Sequence, residues 1–356
     1  MKTSLREMSA APLLEDEPHP LPPSLTKKAL IWGYIFGAFG AALYSMKAVL
    51  IKLAYLPGDG LAVNGVDPIT LMALRMGFAL PVYVMILIWV LRRQKRNREG
   101  QKPLSPSLIL KAASLGVLGY YLCAFLDFTG LKYITAQLER LILFTYPIFV
   151  ILLGAAFFGA RLTLVAMLTI GLAYTGIALV FVGGDMTVGE NLWLGSGLVL
   201  LTAFLFAVFQ LTAKGLIDKM GSELFTCISM LGAAVAIFTH FITASLLSDG
   251  VSAALDLPPR IFALGAAMGL ISTILPSFLI NIAMARIGAQ AVASLGMLGP
   301  VATIIAAIIL LGEPFGPIDA LGTVLTITGI GLYTFYDRRA KASLKVTDPA
   351  AGKHTR

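Results

Sequence analysis

Histidine and cysteine are nearly missing from this chain, three and two in 356 residues, and charged residues make up only 13% of it. Each scarcity removes a class of function. Cys123 and Cys227 both fall inside long apolar stretches, where a disulfide framework or a metal cluster does not fit and small core residues are the expected reading. His19 and His354 lie in the polar ends, and His240 alone interrupts an apolar stretch. No His-Glu-x-x-His, no Gly-x-Ser-x-Gly and no phosphate-binding Gly-rich loop before a Lys-Ser/Thr pair is present. No catalytic residue, metal or cofactor is therefore expected.

What is there is hydrocarbon. A soluble domain would be about one quarter charged, whereas here 58% of residues are hydrophobic and the mean hydropathy is +0.86. Ten apolar stretches stand out, near 30–53, 69–91, 108–128, 134–158, 162–182, 192–213, 223–247, 260–282, 289–311 and 317–336. Each is roughly 20–25 residues, enough at about 1.5 Å per residue to cross a hydrocarbon core of about 30 Å. The expected fold is an all-α membrane protein with ten transmembrane helices. Residues 1–28 are polar and Pro-rich, with His19-Pro20-Leu21-Pro22-Pro23, and lack the short apolar core of a cleaved signal. They read as a disordered cytoplasmic tail, and 338–356 as a basic one.

The net charge of +8 tempts a nucleic-acid reading, but the placement of the basic residues argues for topology instead, with no nucleic-acid partner. When loops are assigned alternately to two sides, one side collects Arg92, Arg93, Lys95, Arg96, Arg98 and Lys102, then Lys214, Lys219 and Arg286, then the C-terminal cluster from Arg338. The other holds Lys132 and Arg260. By the positive-inside rule both termini are cytoplasmic, and contact with anionic lipid is a secondary role for these residues.

The chain also repeats itself. A shift of 153 residues carries 134–179 onto 287–332 without a gap, matching Ile134-Thr135-Ala136-Gln137 with Ile287-Gly288-Ala289-Gln290, Pro147 with Pro300, Gly159 with Gly312 and Thr175-Gly176-Ile177 with Thr328-Gly329-Ile330. Lys52 and Lys214, which end the first and sixth spans, are 162 apart, so the first half carries about nine extra residues. The loop around Pro57-Gly58-Asp59-Gly60 is the natural place for them. Five spans per half, an odd number, force the second half to enter from the opposite face, so the expectation is two five-helix inverted-topology repeats, 29–183 and 190–337.

These residues resemble the drug/metabolite transporter superfamily, specifically its EamA-type ten-helix carriers. The resemblance rests on Ala289-Gln290-Ala291, Pro300, Leu311-Gly312-Glu313-Pro314 and Thr328-Gly329-Ile330 in the second half, and on Leu74-Arg75, Pro147 and Gly159 in the first. It departs at Ala160, where the family commonly has the glutamate seen at Glu313. The resemblance implies a bundle around a central cavity lined mainly by the first, third, fourth, sixth, eighth and ninth spans, with the fifth and tenth at the periphery and alternating access between the two faces.

Lys47, Arg75, Asp127, Glu139 and Arg140 fall within spans of the first half. A charge at the bilayer centre costs roughly 2.5–3.5 kcal/mol on insertion scales, so a protein interior or a wet cavity is expected around them. Arg75 and Asp127 read as structural charge partners; Lys47, Glu139 and Arg140 read as substrate-binding residues. Glu139 and Arg140 are neighbours about 100° apart on a helix, so each is expected to need its own partner. The polar residues Ser277 and Asn281, with Thr273, recur every four positions on the eighth span, and Gln290 and Ser294 do so on the ninth; Gln210 interrupts the sixth. Hydrogen bonding between helices is the plain reading of such residues, and a cavity wall is the functional one. Tyr44, Tyr120 and Tyr146, together with Tyr121 and Phe209, offer aromatic surface. Gly33-x-x-x-Gly37 and Gly265-x-x-x-Gly269 read as packing devices.

The function expected is a carrier, in the bacterial inner membrane, that exports a small amino-acid-like or carboxylate-bearing solute. With no ATP-binding cassette in the chain, transport is expected to be passive or coupled to an ion gradient unless a partner subunit supplies energy, a proton or counter-solute being the candidate partner. A channel, a receptor without transport, and an importer of a nucleotide-like metabolite or drug are the alternatives. The topology has its own test. A reporter at Gly183-Gly184 is expected on the extracellular side and one at Arg96 on the cytoplasmic side; access to both from one side would refute the span count.

Overall fold

A computed structural model describes residues 27–56, 66–97, 105–158, 164–183, 191–296 and 298–347, and every regular element among them is helical. The Pro57–Gly60 loop, Gly159, Ala160 and both chain ends lie outside the described residues. Helix α1 spans Lys27–Tyr55, α2 Pro68–Asn97 and α3 Pro106–Gly130. After a short turn come α4, Ala136–Leu143, α5, Tyr146–Phe158, and α6, Leu164–Gly183. Then follow α7, Leu192–Met220, α8, Ser222–Leu247, α9, Pro259–Gly269, α10, Leu275–Leu295, α11, Leu298–Leu311, and α12, Pro317–Thr347. Among the described residues, seven helical segments are long and apolar enough to cross a membrane, and three further apolar helices, Met167–Gly183, Leu298–Leu311 and Pro317–Leu332, are shorter than those. The chain is a multi-pass helical membrane protein.

Proline sets much of the punctuation. Pro68, Pro106, Pro259 and Pro317 each open a helix at its first position, where the missing N–H costs nothing. Inside a helix the same ring collides with the carbonyl four residues earlier; Pro81 is nonetheless carried within unbroken α2, whereas the chain breaks ahead of two others. Ahead of Pro147 the helix stops at Leu143 and restarts at Tyr146, and Thr145 tightens the break by donating from Oγ1 to the Ile142 carbonyl at 2.6 Å. Ahead of Pro300 it stops at Leu295 and restarts at Leu298. Pro276 is accommodated by a π-helical stretch, Leu270–Ile274, that joins α9 to α10.

Two boundaries differ from the sequence reading. The span expected over 134–158 is two rods, α4 and α5, with the break just described. The loop expected between 282 and 289 is helical, because Ala283-Met284-Ala285-Arg286-Ile287 contains good helix formers and no proline; the break falls at Gly296 instead, ahead of Pro300.

Backbone features recur at the 153-residue shift. Pro106–Gly116 matches Pro259–Gly269, and the π-helical stretch Val117–Leu122 inside α3 matches Leu270–Ile274. Packing recurs as well. A Cβ on Gly116 would strike the Ser229 backbone of α8, and one on Gly269 the Arg75 carbonyl of α2. A Cβ on Gly195 of α7 would meet Tyr133 and Ile134, and one on Gly33 of α1 would meet Arg286 and Ile287, which relates α1 to α7 by 162 residues. Between α6 and α12, Gly176 lies against the Gly322 carbonyl, and Gly329 against the Thr169 carbonyl. Lipid offers no hydrophobic drive for helices to associate, so such close backbone approach is what holds them.

Gly176→Leu is therefore expected to lower the thermal midpoint of the purified protein, by roughly the 1–3 kcal/mol of an overpacked site. Gly171→Leu, on the same helix where a Cβ would meet nothing, is expected to leave it unchanged. Equal midpoints would refute this interface.

Candidate functional site

The intramembrane charges gather into one buried layer. Lys47 on α1 donates from Nζ to Asp127 Oδ2 on α3 at 2.6 Å, and Asp127 is almost fully buried. Glu139 and Arg140 enter from α4, both buried. Contrary to the expectation that these neighbours need separate partners, Arg140 Nε lies 3.7 Å from Glu139 Oε2, within ion-pair range but without a hydrogen bond. Arg140 also donates from Nη2 to the Ser45 carbonyl of α1 at 3.3 Å, and Thr303 of α11 donates to the same oxygen at 3.0 Å. Asp127 and Glu139 face each other closely enough for their carboxylates to interact. Asp127 Oδ1, both Glu139 oxygens and Arg140 Nε are buried with no hydrogen-bond partner. Arg75 on α2 is buried too, its guanidinium 5.3 Å from the Phe128 ring centroid, and it senses Asp127 at longer range.

One turn from this layer lies a second, aromatic one. Tyr44 precedes Lys47 by three residues on α1 and so shares its face. Tyr44 is 49% exposed and lies within electrostatic reach of the hydroxyls of Tyr83 on α2, Tyr120 on α3 and Tyr146 on α5. The Tyr146 hydroxyl faces Gln210 of α7, and that of Tyr83 faces Ser277 of α10. Gln210 and Ser277 are exposed. Phe206 and Phe209 of α7 form the wall behind, edge-on to Tyr146 and Tyr120 at 5.2 Å in both cases. The structure thus brings Lys47, Glu139 and Arg140 into one layer with Asp127, and carries Tyr44, Tyr120, Tyr146, Gln210 and Ser277 on α1, α3, α5, α7 and α10, helices that pack against one another. Asn281, Gln290 and Ser294 lie on α10, with side chains outside the described residues.

Several expected polar roles are local. Ser277 donates to the Thr273 carbonyl, and Thr273 to that of Met268 across the π stretch. His240 is taken up by packing, with Tyr121 Oη 3.0 Å from Nδ1 and the Phe125 ring 5.0 Å away. A separate cavity of about 440 Å³, lined by Asp67, Thr70, Ser245 and Asp249 between α2 and α8, lies away from the charged layer.

Sequence reasoning missed Tyr83, Thr303, the Ser45 carbonyl and the role of Glu313. Glu313, from the turn between α11 and α12, accepts hydrogen bonds from the Ala136 and Gln137 backbone N–H groups at 2.8 and 3.2 Å. Leu74-Arg75 and Gly265-x-x-x-Gly269 carried a signal in the sequence, and here they touch: a Cβ on Gly265 would meet Leu74.

The profile of the EamA-like transporter family matches residues 31–182 and 193–335. An uncharacterized transporter, YcbK, of Bacillus subtilis (strain 168) is 26% identical over 304 residues, covering 84% of this chain and 92% of its own. An uncharacterized transporter of Methanothermobacter thermautotrophicus is 28% identical over 308 residues, covering 84% and 85%. A solved crystal structure, 17% identical, superposes with a TM-score of 0.53 over 86% of this chain and 98% of that one, which shows a shared fold.

Removing one member of a buried ion pair strands the other charge, at about 3–5 kcal/mol. Lys47→Met is therefore expected to destabilise the protein by about that amount, and Lys47→Met with Asp127→Asn to recover most of it. Thermal unfolding of the two variants measures this, and additive losses would refute the pairing.

Proposed function

The chain belongs to the EamA-like transporter family, and on that premise we propose that it is an alternating-access carrier whose charged layer binds a zwitterionic, amino-acid-like solute. The observation that carries this reading is the pair of neighbouring buried groups left open on α4. Both Glu139 oxygens and Arg140 Nε lack hydrogen-bond partners, an arrangement complementary to an ammonium and a carboxylate on one small molecule. Lys47, already paired with Asp127, acts through that pair, and Arg140 is the carboxylate anchor. The tyrosine layer of Tyr44, Tyr83, Tyr120 and Tyr146, with Gln210 and Ser277, holds the rest of the solute.

The wider arrangement proposed is ten spans in two five-helix inverted repeats, 29–183 and 190–337, in the cell inner membrane with both termini in the cytoplasm. Support comes from the seven long and three shorter apolar helices among the described residues, from the recurrence of prolines, π stretches and glycine contacts at shifts of 153 residues, or 162 for α1 and α7, and from the skewed basic residues. Export is the proposed direction. The facing carboxylates of Asp127 and Glu139 favour a proton as the coupling ion, held between them when the solute is absent.

Purified protein in proteoliposomes is expected to show saturable counterflow with one or more amino-acid-like solutes and a response to an imposed pH gradient. Charge-assisted hydrogen bonds are worth about 1.5–3 kcal/mol, so Glu139→Gln and Arg140→Gln, measured as monodisperse protein, should each weaken apparent affinity about ten- to hundredfold; loss of folded protein in both would favour a structural network instead. Glu139→Gln should also abolish the response to the gradient. Free ion conduction without saturable exchange across the solute panel would overturn the carrier reading.

A further inference from the structure

Glu313 closes one end of the charged layer by a contact that joins the two halves of the sequence. Its carboxylate holds the Ala136 and Gln137 N–H groups at 2.8 and 3.2 Å, and Gln137 Nε2 donates to the Pro314 carbonyl at 3.2 Å. The Leu138 N–H is taken by Thr135 Oγ1 and that of Glu139 by the Thr135 carbonyl, so the first turn of α4 is fully capped, and half of the cap comes from the connection between α11 and α12. Gly312, at φ +64°, supplies the left-handed backbone that turns the chain just ahead of Glu313. The anion also lies at the positive end of the α4 dipole. The helix it holds is short and separate: α4 has eight residues, ends at the Phe144-Thr145 break, and carries Glu139 and Arg140. Lys52, which donates to the Leu131 carbonyl at 3.1 Å, lies within electrostatic reach of Glu313, so the contact belongs to the end of the bundle that bears Lys132 and Arg260.

We propose that Glu313 is the latch of the extracellular face: its carboxylate holds α4 in the closed position, and its departure frees α4 to tilt about the 144–145 break and open the charged layer to the outside. Water entering that opening takes over the two N–H groups, so the latch exchanges partners without leaving a backbone donor bare. The latch rests on the carrier reading and the proposed topology. At the 153-residue shift the counterpart of Glu313 is Ala160, so the sequence carries this carboxylate once.

Two measurements test it. The first reads the latch without any solute. In a Cys227→Ser background the remaining thiol, Cys123, is buried and lies near the Lys47–Asp127 pair. A membrane-impermeant maleimide added from outside should label it about tenfold faster in Glu313→Gln than with Glu313 intact, since one or two charge-assisted bonds are lost. Equal labelling rates overturn the latch. The second keeps Glu313 and replaces both thiols by serine, with Gln137→Cys and Pro314→Cys cross-linked across the contact. Saturable exchange should vanish on cross-linking and return on reduction; exchange that continues through the cross-link makes the contact a permanent cap and overturns the proposal. Absence of exchange before cross-linking would refute the carrier reading, and the labelling rates would then decide the latch alone.

Discussion

Close backbone approach at glycine is the constraint on which the rest of this bundle depends. In lipid, burying a leucine against a neighbour gains little, so helices hold where small residues let main chains meet. Gly116 against Ser229, Gly195 against Tyr133 and Gly33 against Arg286 fix which helices touch and at what height. The hydrogen bonds that cross between helices sit beside these contacts. Ser229 Oγ donates to the Ala112 carbonyl at 3.0 Å, and Thr202 Oγ1 to that of Cys123 at 3.3 Å. Only after α1, α3 and α4 are placed in this way do Lys47, Asp127, Glu139 and Arg140 share one layer.

That layer is expensive to bury, and it is partly satisfied and partly open. Lys47 and Asp127 form the closed part, at 2.6 Å. Glu139 and Arg140 form the open part, since their separation of 3.7 Å leaves polar atoms without hydrogen bonds. A purely structural network would be expected to close such gaps, because an unmet buried polar group costs about 1–3 kcal/mol.

Much of this was legible in the residues, and the reasons for the rest are physical. Periodicity and length locate apolar helices, and the 153-residue match that begins at Ile134 extends in the structure back to Pro106 and Pro259. Proline announces the breaks before Pro147 and Pro300. The helical run through 283–287 was hidden, because a short stretch without proline or several glycines reads equally as a turn or as more helix. The contacts of Glu313, Thr303 and Tyr83 were hidden for another reason. Each depends on the rotational phase of two helices far apart in sequence, and no spacing along one helix encodes that. Tyr44 and Lys47 could be found together because one turn of α1 carries both.

The pairing of α6 with α12 has a geometric consequence. Thr326 Oγ1 donates to the Ala173 carbonyl at 3.3 Å, and these residues are 153 apart, the same shift that relates the two stretches of sequence. Exchanging one stretch for the other therefore returns this contact to itself, whereas it sends Gly176–Gly322 to Gly329–Thr169. The residue pair is its own image but the hydrogen bond is not, because the counterpart of the Thr326 hydroxyl is the Ala173 methyl, which donates nothing, so the contact is tied from one side alone.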